Sequence, residues 1–289
     1  MELPPALTFD IGNQTISIQA FDAQEAQQNL HQQSVNIIAS GPSIANIKFI
    51  DLVDAATIFV NGSISLTAQH NFTNIVGYVI SDARFIRHQP DILNKHYRGQ
   101  PLYATLAVLE TLAVTHPSII INYHSAMRII YPVDRPWGVK TNKFWFSRLL
   151  SKHYSLSKKT SLSTLVNQRN FVIDAHHQPA PIGLSLDITH GFVEAGTVAY
   201  VAAQLAFSRG AGEIHLYGID LLNTDQPRFY EDKSNSAPCK LDKAISERIV
   251  PSFDLLGHTY KKQGITVYNH SPISKDLFRG LESQPFVKG

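Results

Sequence analysis

Cysteine is almost missing from this chain. Cys239 is the only one in 289 residues, so no disulfide can form within it. An excess of one charge is missing too: 25 Lys and Arg face 23 Asp and Glu, a formal net charge of +2. That balance gives no case for nucleic acid as a partner. The opening Met-Glu-Leu-Pro-Pro-Ala-Leu lacks a basic segment followed by an apolar run, so no signal peptide is expected. Nor does any window reach the roughly 18 uninterrupted apolar residues of a spanning helix. The longest apolar stretch lies within Thr197 to Phe207. A soluble cytoplasmic protein is the expectation, with contact at a membrane surface left open.

Several chemical signatures are missing as well. There is no GxxxxGK[ST] and no GxGxxG after the first strand, so neither a P-loop nor the dinucleotide fingerprint is present. There is no GxSxG elbow, no HExxH, no cysteine cluster for zinc and no Asp-x-Asp. His176-His177 is an adjacent pair, and neighbouring residues do not converge on one metal, so it is expected to be a surface feature.

What is present is an ordinary globular composition, 44% hydrophobic and 17% charged, enough to build one large core or two smaller ones. Residues 7 to 20 alternate apolar and polar around Gly12-Asn13, which predicts a hairpin. Phe21 to Gln33 reads as a short polar helix. Residues 1–34 are therefore taken as a leader packed on the main domain, 35–289, with an insert or lid at about 125–180.

Six short apolar runs follow: Val35–Ala39, Thr57–Val60, Val76–Ile80, Ser118–Ile121, Glu213–Tyr217 and Ile265–Tyr268. Helix-length segments fall between most of them, most clearly Thr197–Arg209 and Leu241–Gln263. The pattern predicts an α/β fold, a Rossmann-like and mostly parallel sheet with helices on both faces. Nearly every run ends in small or polar residues: SGPS, NGS, SD, NYH, GID, NHSP. Ligands of open α/β sheets bind outside the carboxyl ends of the strands, so these tips are expected to share a crevice. In the first of them, Pro42 suits the first turn of a helix and Gly41 permits close approach to the backbone. The N–H groups of that helix start are expected to receive a phosphate or a ribose hydroxyl.

Arg135 to Lys159 stands apart. It holds both tryptophans and seven Lys or Arg. Aromatics interleaved with basic residues suit an anionic interface, and equally a half-buried helix with a solvated basic face.

The set Ile37-Ile38-Ala39-Ser40-Gly41-Pro42-Ser43, Val60-Asn61-Gly62-Ser63 and Ser81-Asp82-Ala83-Arg84-Phe85 resembles the lipopolysaccharide core proteins called RfaZ or WaaZ. Asp187-Ile188 with Gly191, Ala203 to Ser208, Gly218-Ile219-Asp220-Leu221, Arg228-Phe229-Tyr230 and Tyr268-Asn269 with Ser271-Pro272 continue the likeness in order. The resemblance implies transfer of 3-deoxy-D-manno-octulosonic acid (Kdo) from CMP-Kdo to the inner core, with no cofactor required and a divalent metal left open. It implies a lipid-linked acceptor, and hence a place at the inner face of the inner membrane, peripheral through Arg135–Lys159. A looser likeness to small bacterial CMP-sialic acid transferases implies donor contacts at Ser40, Gly41, Pro42, Ser43 and Asn61, with Gly196-Thr197 and Asp220 beside them. Those enzymes carry a histidine base shortly after the Gly-Ile-Asp strand; here Ala237-Pro238-Cys239-Lys240 stands in that region.

The chemistry needs donors for the leaving phosphate, a cation for the sugar carboxylate and a base for the acceptor hydroxyl. Arg228 and Tyr230 are candidates for the phosphate and Arg84 for the carboxylate. Asp82, Glu231, Asp232 and His124 are candidates for the base, with His190 next. A sialyltransferase, a pterin pyrophosphokinase and a non-catalytic nucleotide-binding protein of the core assembly machinery are the competing readings.

Overall fold

The computed structural model describes residues 3–26, 30–136, 159–221, 229 and 242–284. Among the described residues twelve strands are formed: β1 (Ala6–Ile11), β2 (Gln14–Ala20), β3 (Ser34–Ile38), β4 (Thr57–Val60), β5 (Ile75–Ile80), β6 (Leu102–Ala104), β7 (Met127–Ile129), β8 (Phe171–Asp174), β9 (Ile182–Ser185), β10 (Glu213–Tyr217), β11 (Thr266–Asn269) and β12 (Glu282–Ser283). Ten make one sheet in the order β1-β2-β7-β6-β5-β4-β3-β10-β11-β12, and β8 and β9 form a separate antiparallel pair. Every pairing in the large sheet is parallel except the β1–β2 hairpin. The expected α/β architecture is therefore the observed one.

The sheet separates two cores because its side chains alternate. Val35 and Ile37 of β3, with Ile58 and Val60 of β4, face one cluster, while Ile38 and Phe59 face the other. On the first face lies the helix Val198–Ser208, which crosses β3, β4, β5 and β10. Its buried Ala199, Ala202, Ala203 and Ala206 carry no bulk, so it seats closely on the sheet. The helix Val250–Lys261 joins it there. The other face is covered by Ala83–His88, Pro90–His96, Leu106–Thr115 and Pro117–Tyr123.

Four expectations are corrected. Ser118–Ile121 is not a strand but part of the helix Pro117–Tyr123. Its Ile-Ile-Ile run has β character, but Pro117 occupies the first helical turn, where its fixed φ and missing N–H cost nothing. Two strands of only three residues, β6 and β7, escaped the pattern and stand where that run was expected. The segment after Gly41 is a 3-10 turn, Pro42–Asn46, rather than an α-helix. In Phe21–Gln33 the described helix is Ala23–Ala26 alone.

The hairpin does form, and β2 continues the main sheet by pairing Gln19 and Ala20 with Arg128 and Ile129 of β7. Of the Arg135–Lys159 segment, residues 137–158 lie outside the described residues. No single helix among the described residues is long and apolar enough to cross a membrane.

Candidate active site

From β3 the chain adds strands in one direction, through β4 to β7, and then returns to place β10 on the other side of β3. The order reverses between β3 and β10, and the crevice over that point is where an open parallel sheet binds its ligand. The loops that flank it are Ala39-Ser40-Gly41 and Gly218-Ile219-Asp220.

These loops are joined by one carboxylate. Asp220 Oδ2 accepts the Ser43 N–H at 2.6 Å, and its Oδ1 accepts the Ser43 hydroxyl at 2.8 Å. Oδ1 also accepts the hydroxyl of Ser271, from the loop after β11. Ser274 Oγ donates to the Ile219 carbonyl. Gly41 N–H donates to Gly218 O at 2.9 Å. A Cβ at Gly41 would strike the Asp220 carboxylate and come within 2.5 Å of Gly218 O. Gly41 thus admits the neighbouring loop. The expectation of a free amide for phosphate is corrected at Ser43, whose N–H is already taken by Asp220.

Asn61 follows β4 with φ +48°, in the left-handed region that asparagine tolerates better than most residues. Its carbonyl accepts the Tyr78 hydroxyl at 2.8 Å, while its side-chain Oδ1 is buried with no hydrogen-bond partner among the described residues. Two residues on, Ser63 Oγ accepts the Val60 N–H and donates to Ile38 O at 2.6 Å, which ties the end of β4 to β3. A cavity of about 520 Å³ has Leu221, the residue after Asp220, in its wall with Ile245, Val250 and Arg279.

Asp82 and Arg84 occupy the end of β5 but are committed to each other. Asp82 Oδ1 caps the helix Ala83–His88 by accepting Arg84 N–H at 2.8 Å, and its Oδ2 accepts Arg84 Nε at 2.7 Å. Burial pushes the Asp82 carboxyl up, but the hydrogen bonds and charge of Arg84, with Arg87 behind, outweigh it and leave the acid lowered. A carboxylate held down in this way is a poor proton acceptor. His124 is corrected more fundamentally. It precedes β7, at the amino end of the strands, and its ring Nδ1 lies 3.2 Å from Ile121 O. It is at the opposite end of the strands from the crevice. His190 is exposed, 3.9 Å from Asp187. Arg228, Tyr230, Glu231 and Asp232 lie outside the described residues, although Phe229 N–H reaches Ser40 O at 3.3 Å.

Gly196 and Thr197 precede the helix Val198–Ser208, Thr197 at its cap position without a side-chain bond. The segment leading to them holds a residue that the sequence reading missed. Gly191 has φ +101°, and a Cβ there would lie 2.7 Å from Val133 Cγ1 and 3.0 Å from Tyr131 O. The missing side chain lets the chain run beside the extension of β7, where Phe192 N–H bonds Tyr131 O at 2.8 Å and Val133 N–H bonds Phe192 O at 2.9 Å. The wholly buried Gln204 then holds Val193 at both its N–H and its C=O. Glu194 comes next. Burial raises its carboxyl, and the negative charges of Asp134 and Asp82 raise it further against the pull of Arg248 and Arg135. The signal in the sequence is a lone acid in Phe-Val-Glu-Ala between two glycines. Among the described residues no group of three or more His, Cys, Asp or Glu is arranged to hold a metal ion.

Comparison with known proteins gives the family. A family model described as 3-deoxy-D-manno-octulosonic acid transferase WaaZ matches residues 17–278. A probable 3-deoxy-manno-octulosonic acid transferase of Escherichia coli K12 is 25% identical over 92% of this chain and 87% of its own. The protein of the same description from Salmonella typhimurium LT2 is 25% identical over 87% and 85%. Among solved structures, the sialyltransferase CstII from Campylobacter jejuni, in complex with a substrate analogue and described with cytidine-5'-monophosphate, aligns over 89% of each chain with a TM-score of 0.43 and 16% identity. With the family model spanning most of its length, the chain belongs to the WaaZ family of 3-deoxy-D-manno-octulosonic acid transferases.

Proposed function

We propose that this protein transfers Kdo from CMP-Kdo to a Kdo-bearing inner core of lipopolysaccharide and releases CMP. The observation that carries the reading is the convergence of polar strand ends on the β3/β10 switch point in a chain of this family. The loop Ser40 to Ser43 and Asn61 flank that point, as a nucleotide site requires. The buried Asn61 Oδ1 has no partner among the described residues and would take a donor such as a ribose hydroxyl or the cytosine amino group. Because Ser43 N–H is occupied, the phosphate is assigned to groups other than that amide, with Arg228 and Tyr230 the candidates. The Arg135–Lys159 segment would meet the anionic, lipid-linked acceptor at the inner face of the membrane.

The test is incubation with CMP-Kdo and a Kdo-bearing core acceptor. Release of CMP with a mass gain of one Kdo on the acceptor is expected, together with a rise in melting temperature on adding CMP. Turnover of CMP-sialic acid in preference to CMP-Kdo would replace the donor assignment. No CMP release from either donor overturns the reading.

A further inference from the structure

We infer that Glu194 is the group that takes the proton from the acceptor hydroxyl. The inference rests on the sugar-transfer reading and deepens it. Three observations carry it.

The first is position. Pro132 and Phe192 pair in parallel beyond the end of β7, which sets Glu194 level with Asp134, and the charge of Asp82, after β5, also bears on it, so it lies past the carboxyl ends of β5 to β7. Strands are about 4.8 Å apart, which puts the end of β6 roughly 14 Å from that of β3. A nucleotide anchored at β3 and β10 carries its sugar outward across such a span.

The second is rigidity. The backbone of the segment is fixed on three sides: Phe192 by the extension of β7, Val193 by Gln204, and the Glu194 carbonyl by Arg248 Nη2 at 2.6 Å. Arg248 is delivered by a π-helical turn, Ile245–Ile249, inserted ahead of the helix Val250–Lys261. Such bulges recur at functional sites because they re-aim side chains at the cost of regular hydrogen bonding.

The third is a pair of carboxylates that keep acceptor oxygens unspent. The Glu194 side chain makes no hydrogen bond or ion pair among the described residues. Asp134, 6% exposed, pairs with Lys159 through Oδ2 at 3.6 Å, and its Oδ1 is buried with no partner among the described residues. Natural proteins satisfy nearly all such atoms, so an orphan beside a free carboxylate marks a place a substrate hydroxyl would fill.

The charged groups that bear on Glu194 are Asp134 and Arg135 from the chain after β7, Asp82 at the cap of the helix Ala83–His88 with Arg84 in that helix, and Arg248 from the π turn. Burial and the two acids raise the Glu194 carboxyl while the cations restrain the rise, and a raised carboxyl is the direction a general base requires. In the step itself the acceptor oxygen forms its bond to the anomeric carbon of Kdo. The bond from that carbon to the CMP phosphate oxygen breaks, and its electron pair leaves with CMP. The hydroxyl proton passes to Glu194 and then to solvent. Asp134 acts as a positioning residue that sets the affinity of Glu194 for that proton.

The experiment uses the full chain with CMP-Kdo and a Kdo-bearing acceptor. Glu194→Gln is expected to lower kcat at least 100-fold while KM for CMP-Kdo and the CMP-induced rise in melting temperature stay within twofold of the parent. Asp134→Asn is expected to move the acidic limb of kcat/KM to lower pH, a shift that loss of packing would not produce. Glu194→Gln with kcat within fivefold of the parent, or an acidic limb unmoved in Asp134→Asn, overturns the inference. Should Glu194→Gln fail to fold, the limb of Asp134→Asn decides alone. Failure of the parent chain to release CMP is a separate result and overturns the sugar-transfer reading instead.

Discussion

Asp220 spends its whole carboxylate on three donors, two from Ser43 and one from Ser271. Hydrogen bonds to a charged group contribute about 1.5–3 kcal/mol each, and donors left unpaired in a half-buried site add a desolvation cost. Asp220→Asn keeps the shape but turns an N–H₂ toward donors. It is expected to lower the melting temperature by about 4–8 °C, as a loss of roughly 2 kcal/mol would in a chain of this size. It should also weaken CMP binding at least tenfold, because the Gly41 loop would no longer be held. Ser271→Ala should cost less, and the double variant less than the sum of the two, since both act through one carboxylate. Differential scanning calorimetry with a CMP titration checks this; an Asp220→Asn variant that melts and binds like the parent would refute it. The Asp was legible in the sequence as a strand-end residue beside a ligand crevice. Its actual work, holding residues 177 positions apart, was not, because no local pattern encodes a partner so distant.

At the scale of elements, β10 and β11 share a ladder of rings. His215 stacks on Tyr268 at 4.8 Å between centroids, His270 on Tyr217 at 4.4 Å, and His215 Nδ1 and His270 Nε2 are 2.8 Å apart. Burial first, and the neighbouring His215 second, hold His270 down to about 4, against the pull of a backbone bond to Gln284. The unfolded ring titrates near 6.5, so between pH 6.5 and 4 the unfolded chain binds a proton that the folded chain refuses. Stability is therefore lost as pH falls through that window, on the order of 2 kcal/mol after allowance for screening by water. His270→Phe keeps a stackable ring and removes the titration. Its melting temperature relative to the parent should rise as pH drops from 7 to 4.5, and a constant difference would count against the account.

The same scale explains what could be read in advance. β3, β4, β5, β10 and β11 are apolar runs closed by turn residues, and the reading found all of them. β6 and β7 are three residues each, too short for any period, and their identity comes from the strands beside them. That omission also misled the site, since it put His124 after a strand when it stands before one. Glu194 was passed over for a related reason. Its setting is made by Gln204, Tyr131 and Arg248, which come together only through the crossover of the chain.

For the molecule as a whole, the hairpin is a working part of the sheet and the second core. Leu7, Phe9, Ile11, Ile16 and Ile18 are buried there, and β2 covers the edge of β7. Burial of side chains of this size contributes about 1.5–3 kcal/mol apiece. A chain beginning at residue 22 is expected to expose that edge and elute as aggregates in size-exclusion chromatography, whereas a monodisperse and cooperative melt would show the hairpin to be dispensable.

The central position of β3 has a consequence in time. Its first neighbour, β4, begins about twenty residues later, but its other neighbour, β10, is paired across a separation of 179 residues, from Ser34 to Glu213. At 5–20 residues per second, a ribosome takes roughly 10–35 s to supply that second neighbour. Throughout that interval this buried central strand of the newborn polypeptide offers a bare flank to whatever it meets, so a slowed translation rate or a scarcity of chaperones should reduce the soluble yield of this protein before any other property is touched.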